Sequence, residues 1–152
     1  MEVEMQQVKT DINNFLVDTF NRILRIEEDS LSKGEFKNLS VREMHVIEAV
    51  VKLKDDNTAK QIASELNITQ STLTTTVGTL EKKGMLIRKT GEKDKRVVKI
   101  YLTALAVKAY EHHLTFHEEL VDAVMSTLSN QELEIFLKGL DGVSRFFSSK
   151  QP

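Results

Sequence analysis

"LEKKGMLIRKTGEKDKRVVKIYLT", residues 80–103, decides the fold of this chain. The β-branched and aromatic residues of "MLIRKT" and "VVKIYLT" flank "GEKDKR", which predicts two antiparallel strands joined by a loop longer than the tightest turns. Val98, Ile100 and Leu102 alternate with Val97, Lys99 and Tyr101, so one face of the second strand packs and the other is exposed. The stretch is also electrostatically odd. Between Lys82 and Lys99, eight cations (Lys82, Lys83, Arg88, Lys89, Lys93, Lys95, Arg96, Lys99) face only Glu92 and Asp94, a local +6 in a chain of net charge -2. The remainder carries -8, so one anion-facing patch sits on an acidic body.

Immediately upstream lie two short helical segments. "TAKQIASELNI" places Ala59, Ile62, Ala63 and Leu66 on one face of about two turns. After Asn67 a second helix opens at Thr69, keeps Leu73, Val77 and Leu80 inside, and stops at Gly84, a residue suited to a left-handed cap. Two short helices joined by a three- or four-residue turn form a helix-turn-helix. With the hairpin directly behind it, the unit is a winged helix.

The second of these helices has an unusual composition. In "TQSTLTTTVGT" (69–79) seven of eleven residues carry hydroxyls. Each threonine costs a few tenths of a kcal/mol against alanine in a helix, roughly 2 to 4 kcal/mol summed over the segment. The outward face at its start is Gln70, Ser71, Thr74 and Thr75, with Thr69 and Thr72 beside them. Short polar groups of this kind reach base edges and phosphates while their methyls meet thymine. Lys60, on the preceding helix, adds a phosphate-seeking cation.

Further out, residues 8–28 carry Val8, Ile12, Phe15, Leu16, Phe20, Ile23 and Leu24 at helical spacing. "SLSKGEFKN" reads as a polar loop. "SVRE" (40–43) fits a capping box that starts a helix at Val41, running to about Leu53, where "KDDN" ends it. Downstream, residues 103–128 form a long helix, and "SNQE" (129–132) caps another with Leu133, Phe136, Leu137, Leu140 and Phe147 in one stripe. A long helix at each end has more apolar surface than a small winged centre covers, which implies a homodimer built from the end helices. The expected organisation is one domain over 1–152, mainly α with a small β-hairpin wing. A winged helix-turn-helix lobe at 40–103 is flanked by dimerisation helices at 1–30 and 104–152.

Composition narrows the function classes. Hydrophobic content of 40% and charged content of 29% are those of an ordinary soluble protein. The amino terminus lacks a signal-peptide pattern and no apolar run is long enough to span a bilayer, so a cytoplasmic location without membrane partners is expected. Cysteine is absent, which removes thiol chemistry and thiolate metal sites. No glycine-rich phosphate loop or nucleophile elbow is present, and the histidine-carboxylate run "FHEE" lacks metalloprotease spacing, so no enzyme is expected.

In a winged helix the wing projects toward the minor groove, whose negative potential attracts an inserted arginine. Arg96 is the natural inserter, and Asp94, two residues away, is placed to ion-pair with it. Arg88, Lys89, Lys93 and Lys95 would meet phosphates and supply salt-dependent affinity.

Helix, helix-turn-helix, a wing with an Asp-x-Arg motif ("DKR", 94–96) and two long helices resemble the MarR family of bacterial transcription regulators along nearly the whole chain. The resemblance implies a dimer whose winged lobes straddle a pseudo-palindromic double-stranded operator, with Arg96 in the minor groove. Within that family, "FNRILRIEEDSLSKGEFKNLSVREMHVIEAV" (20–50) and "HHLTFHEELV" (112–121) resemble the fatty-acid-synthesis repressors of Gram-positive bacteria. That similarity implies a long-chain acyl group on acyl carrier protein as corepressor. Phe15, Phe20, Met44, Ile47 and Phe116, with His113 and His117, are the candidates to line its cavity, although phenylalanine and methionine at helical spacing more often form plain core.

Histidine supplies a competing effector. His113 and His117 are four apart on one helix face, and Glu27 and His45 lie on helices able to approach it. These are zinc ligand types, and a zinc-sensing branch of the same family looks similar in using such a set. The blander role is histidines that brace the effector cavity through hydrogen bonds. A winged helix used only as a protein-protein adaptor is the other alternative, and it has no need of a +6 wing. Beyond an acyl ligand or zinc, no cofactor is expected.

Overall fold

The computed structural model describes residues 2–91 and 94–150. Among these, the order is α1 (Glu2–Lys33), α2 (Val41–Leu53), a 3-10 turn (Lys54–Asp56), α3 (Ala59–Glu65), α4 (Gln70–Lys82), β1 (Leu86–Thr90), β2 (Val98–Leu102), α5 (Ala104–Met125) and α6 (Asn130–Lys150). The fold is mainly helical with a single antiparallel hairpin, registered Leu86 to Leu102 and Thr90 to Val98. The chain divides into two compact units, one ending at His113 and the other beginning at Leu114.

Caps set where the helices of the first unit begin. Ser40 Oγ accepts from the Glu43 amide at 3.2 Å while Glu43 Oε2 accepts from the Ser40 amide at 2.8 Å, the reciprocal box expected for α2. Thr58 and Thr69 cap α3 and α4 through the amides of Gln61 and Thr72. Gly84, at φ 71°, turns the chain out of α4. One continuous core then joins Met44, Val46 and Ile47 of α2 to Ile62 of α3, Leu73, Val77 and Leu80 of α4, and Ile100 of β2. Each such side chain stabilises by about 1.5–3 kcal/mol on burial, so this apolar seam holds the helix-turn-helix and the base of the hairpin as one body.

The boundaries of α1 differ from the sequence expectation. The helix runs through both ends of the stripe at 8–28, and "SLSKGEFKN" is not simply a polar loop. Leu31 and Phe36, with the adjoining Leu39, are buried in the core, and an Asp29–Lys33 pair at 3.1 Å supports the added turn. Isolated apolar residues in a polar run lack periodicity, which is why their inward role was not visible. The α1 stripe itself is open to solvent here, with Phe15 63% and Phe20 50% exposed.

In the second unit, the C-terminal part of α5 reverses into α6, and Ser129 with Glu132 forms the expected capping box. An apolar groove of about 390 Å³ runs between them, lined by residues including Leu120, Val124, Leu133 and Phe136. Leu137, Phe146 and Phe147 are exposed along α6. Among the described residues, no helix is long and apolar enough to cross a membrane.

Candidate nucleic-acid interface

The start of α4 presents Thr69, Gln70, Ser71, Thr74 and Thr75 to solvent, while Thr72 is half-buried. Its threonines satisfy themselves within the helix. Thr74 donates to the Gln70 carbonyl at 2.7 Å, Thr75 to Ser71 at 3.1 Å, Thr76 to Thr72 at 3.0 Å and Thr79 to Thr75 at 3.2 Å. Each hydroxyl proton is thus engaged four residues back, which satisfies the donor without stabilising the helix and leaves oxygen lone pairs available. Such a face accepts hydrogen bonds from base amino groups or rotates to donate to phosphate. Lys60 is exposed on α3.

The cationic segment is less uniform than its sequence. Lys83 turns inward: its Nζ donates to both carboxylate oxygens of Glu43 at 2.8 Å and also to the Asn38 carbonyl. Burial raises the Glu43 pKa, but the Lys83 and Ser40 hydrogen bonds outweigh it and hold the carboxyl below its ordinary range. Arg88 is held by Glu81, with Nη2 at 2.6 Å and Nε at 2.8 Å from Oε2. That bidentate grip lowers the Glu81 pKa and raises that of Arg88. Lys89 lies over the Tyr101 ring at 5.2 Å, and Lys99 donates to the Asp55 carbonyl at 2.9 Å. Lys93 lies outside the described residues. Lys95 and Arg96 are exposed at the tip of the hairpin.

Asp94 does not meet the guanidinium of Arg96 as expected. Its Oδ1 accepts from the Arg96 backbone amide at 2.9 Å, an aspartate turn that fixes the backbone of the tip and leaves the arginine side chain free to extend. The turn closes with Gly91 donating to the Val97 carbonyl at 2.8 Å and Val97 to the Asp94 carbonyl at 3.1 Å. Gly91 opens the "GEKDKR" loop, and a Cβ there would stand 2.8 Å from the Asp94 carbonyl oxygen.

The candidate effector residues are divided between the two units. Met44 and Ile47 are fully buried in the lobe core, and Phe15 and Phe20 lie on the exposed face of α1. Phe116 and His117 belong to the second unit, where their rings are 5.3 Å apart. The first unit does bring together Glu27, His45 and His113. Their ligand-type atoms all lie within 4.8 Å of one another, with His45 Nε2 at 3.8 Å and His113 Nε2 at 3.9 Å from the Glu27 carboxylate. Glu27 and His113 are buried and His45 half-buried.

Known proteins bear on this geometry. The MarR family model matches residues 40–98. The transcriptional repressor YetL of Bacillus subtilis is 32% identical over 111 residues, covering 72% of this chain and 62% of that protein, so the chain spans less than two thirds of its length. The Bacillus subtilis regulator MhqR is 28% identical over 116 residues, 76% of this chain and 79% of that one. Streptococcus pneumoniae FabT, solved in complex with DNA, superposes with a TM-score of 0.84 at 32% identity, covering 94% of this chain and 99% of that chain. The Staphylococcus aureus MepR–DNA complex, at 21% identity and a TM-score of 0.71 over 92% of this chain and 98% of its own, shares the fold.

Proposed function

The chain belongs to the MarR family of DNA-binding transcriptional regulators, and on that premise we propose that it is a homodimeric repressor of fatty-acid-synthesis genes, using long-chain acyl-acyl carrier protein as corepressor. The observation that carries the DNA-binding part is the pairing of a hydroxyl-rich, outward-facing α4 start with an exposed Lys95 and Arg96 at the wing tip, in a chain that superposes on FabT, solved with DNA, over 94% of its length. Residues Thr69, Gln70, Ser71, Thr74 and Thr75 read the major groove, Arg96 enters the minor groove, and Lys60 and Lys95 meet phosphates. A cytoplasmic location accords with a chromosomal target. The resemblance of residues 20–50 and 112–121 to fatty-acid-synthesis repressors supports the acyl effector.

An effector changes DNA binding only through different affinity for lobe spacings that fit or miss successive major grooves, about 34 Å apart. Affinity for an operator and for a random duplex, with and without long-chain acyl-acyl carrier protein, tests the scheme. Preference for the operator, strengthened by the acyl carrier, is expected, and equal affinity for both duplexes overturns it.

The Glu27, His45 and His113 cluster favours a second reading, a zinc-responsive regulator. Two imidazoles and a carboxylate suit zinc, whose tetrahedral bonds of ~2.0–2.2 Å ask for ligand atoms roughly 3.3–3.6 Å apart. The 3.8 and 3.9 Å separations are within small side-chain adjustments of that. Enhancement of operator binding by zinc alone, with no response to the acyl carrier, selects this reading.

A further inference from the structure

The position of the wing depends on what its base is fastened to, because a two-stranded hairpin is marginal by itself. The inner edge of β2 pairs with β1, and its outer edge at Ile100 pairs with one residue. The Ile100 amide donates to the Asn57 carbonyl at 3.0 Å, and Asn57 Nδ2 donates to the Ile100 carbonyl at 2.7 Å. A single asparagine thereby supplies both the acceptor and the donor that a third strand would bring. The neighbouring residues add to it: Thr58 forms a bridge with Lys99, and Lys99 Nζ donates to the Asp55 carbonyl.

Asn57 is 4% exposed, and its Oδ1 is buried with no hydrogen-bond partner among the described residues. An apolar residue of similar size would avoid that orphan acceptor, so the fold retains the amide for its donor. Ile100 lies four residues from Arg96, along the strand that leads to the tip. We infer that Asn57 is a positioning residue for DNA recognition. It ties the turn before the helix-turn-helix to β2 and so sets the angle at which Arg96 is presented, relative to α4. Sequence specificity is the property it controls, while total phosphate attraction is not. The inference rests on the DNA-binding reading above.

The test uses the full chain and the tightest duplex that the unmutated protein recovers from a random-sequence library. Asn57→Asp keeps the size and removes the donor, placing a carboxylate oxygen against the Ile100 carbonyl. Asn57→Ala, which carries no charge, is the control for that repulsion. For both variants, operator affinity is expected to fall about tenfold with random-duplex affinity unchanged, since one specific contact is worth roughly that ratio. Amide hydrogen exchange at Ile100, measured without DNA, is expected to quicken while exchange in α6 does not. Equal loss on both duplexes, or unchanged discrimination with a quickened Ile100 amide, overturns the role assigned to Asn57. If the unmutated protein recovers no preferred duplex, the DNA-binding reading has failed instead, and the Ile100 exchange still reports whether the clamp exists.

Discussion

Glu81 and Arg88 tie the recognition helix to the first wing strand: one carboxylate takes the guanidinium at 2.6 and 2.8 Å and accepts the Arg88 amide at 3.2 Å. Both side chains remain about a third exposed, so solvent screens the pair and its contribution is only about 0.5–1 kcal/mol. Glu81→Gln is therefore expected to lower the melting temperature by only about 2–4 °C. The freed arginine adds a cation beside α4, so affinity for random duplex should rise, with a salt slope steeper by up to about one. Binding measured from low to moderate salt checks this, and an unchanged slope would show that Arg88 stays away from phosphate.

Glu43 is expected to make the lobe sensitive to acid. Burial raises its pKa, but hydrogen bonds from Lys83 and Ser40 prevail and depress it below its ordinary 4.5. A depressed carboxylate contributes stability above its unfolded pKa and loses it as pH falls through the folded value. Glu43→Gln should thus cost about 1–2 kcal/mol at neutral pH, from the weakened cap and the uncompensated Lys83. Thermal melts between pH 7 and pH 3 should converge for variant and parent as the pH falls below the ordinary carboxylate range and through the depressed folded value. A constant gap across that range would mean that packing rather than charge carries the effect.

Periodic features were legible in the sequence, and contacts between distant segments were not. The two capping boxes, the inward Leu73, Val77 and Leu80, and the alternation around Ile100 all follow from local spacing. Leu31 and Phe36 were hidden because a single apolar residue in a polar run has no period to detect. The inward turn of Lys83 depends on Glu43, 40 positions away, and the grip of Asn57 on Ile100 spans 43. "KDDN" looked like a helix stop and is also a strand partner. Asp94 engages the expected neighbour, Arg96, through its backbone amide and not its guanidinium: charge pairing is visible in sequence, whereas an aspartate turn to a backbone amide is decided by local φ and ψ.

Gly91 permits the wing tip to close. A Cβ at this position would lie 2.8 Å from the Asp94 carbonyl oxygen, a backbone atom unable to move without the turn that carries Arg96. Gly91→Ala is expected to leave the melting temperature within about 3 °C, since the tip contributes nothing to the core. Operator affinity should nevertheless fall several-fold. Wild-type affinity in this variant would show that tip geometry is not read by DNA.

Arg96 and Lys95, neighbours exposed at the wing tip, have separable duties in the proposed DNA complex. Arg96→Ala should cost about 1–3 kcal/mol on the operator and relax preference at the minor-groove positions. Lys95→Ala should weaken all duplexes alike and reduce the salt slope by about one. Competition against operators mutated one base pair at a time separates the two. Equal loss of discrimination in both variants would make the tip a diffuse cationic surface.

Leu137 tests assembly. It is 62% exposed on α6, so in an isolated chain Leu137→Asp would change stability by no more than about 0.5 kcal/mol. In a homodimer built from the end helices the same change buries a carboxylate among apolar side chains such as Phe136 and Leu140, which costs several kcal/mol or forces the subunits apart. Sedimentation at micromolar concentration is expected to show a dimer for the parent and a helical monomer for the variant. Operator affinity should drop steeply, because a monomer engages one half-site and loses the gain in effective concentration from the second. A variant that stays dimeric and binds its operator normally would place the subunit contact elsewhere than on α6.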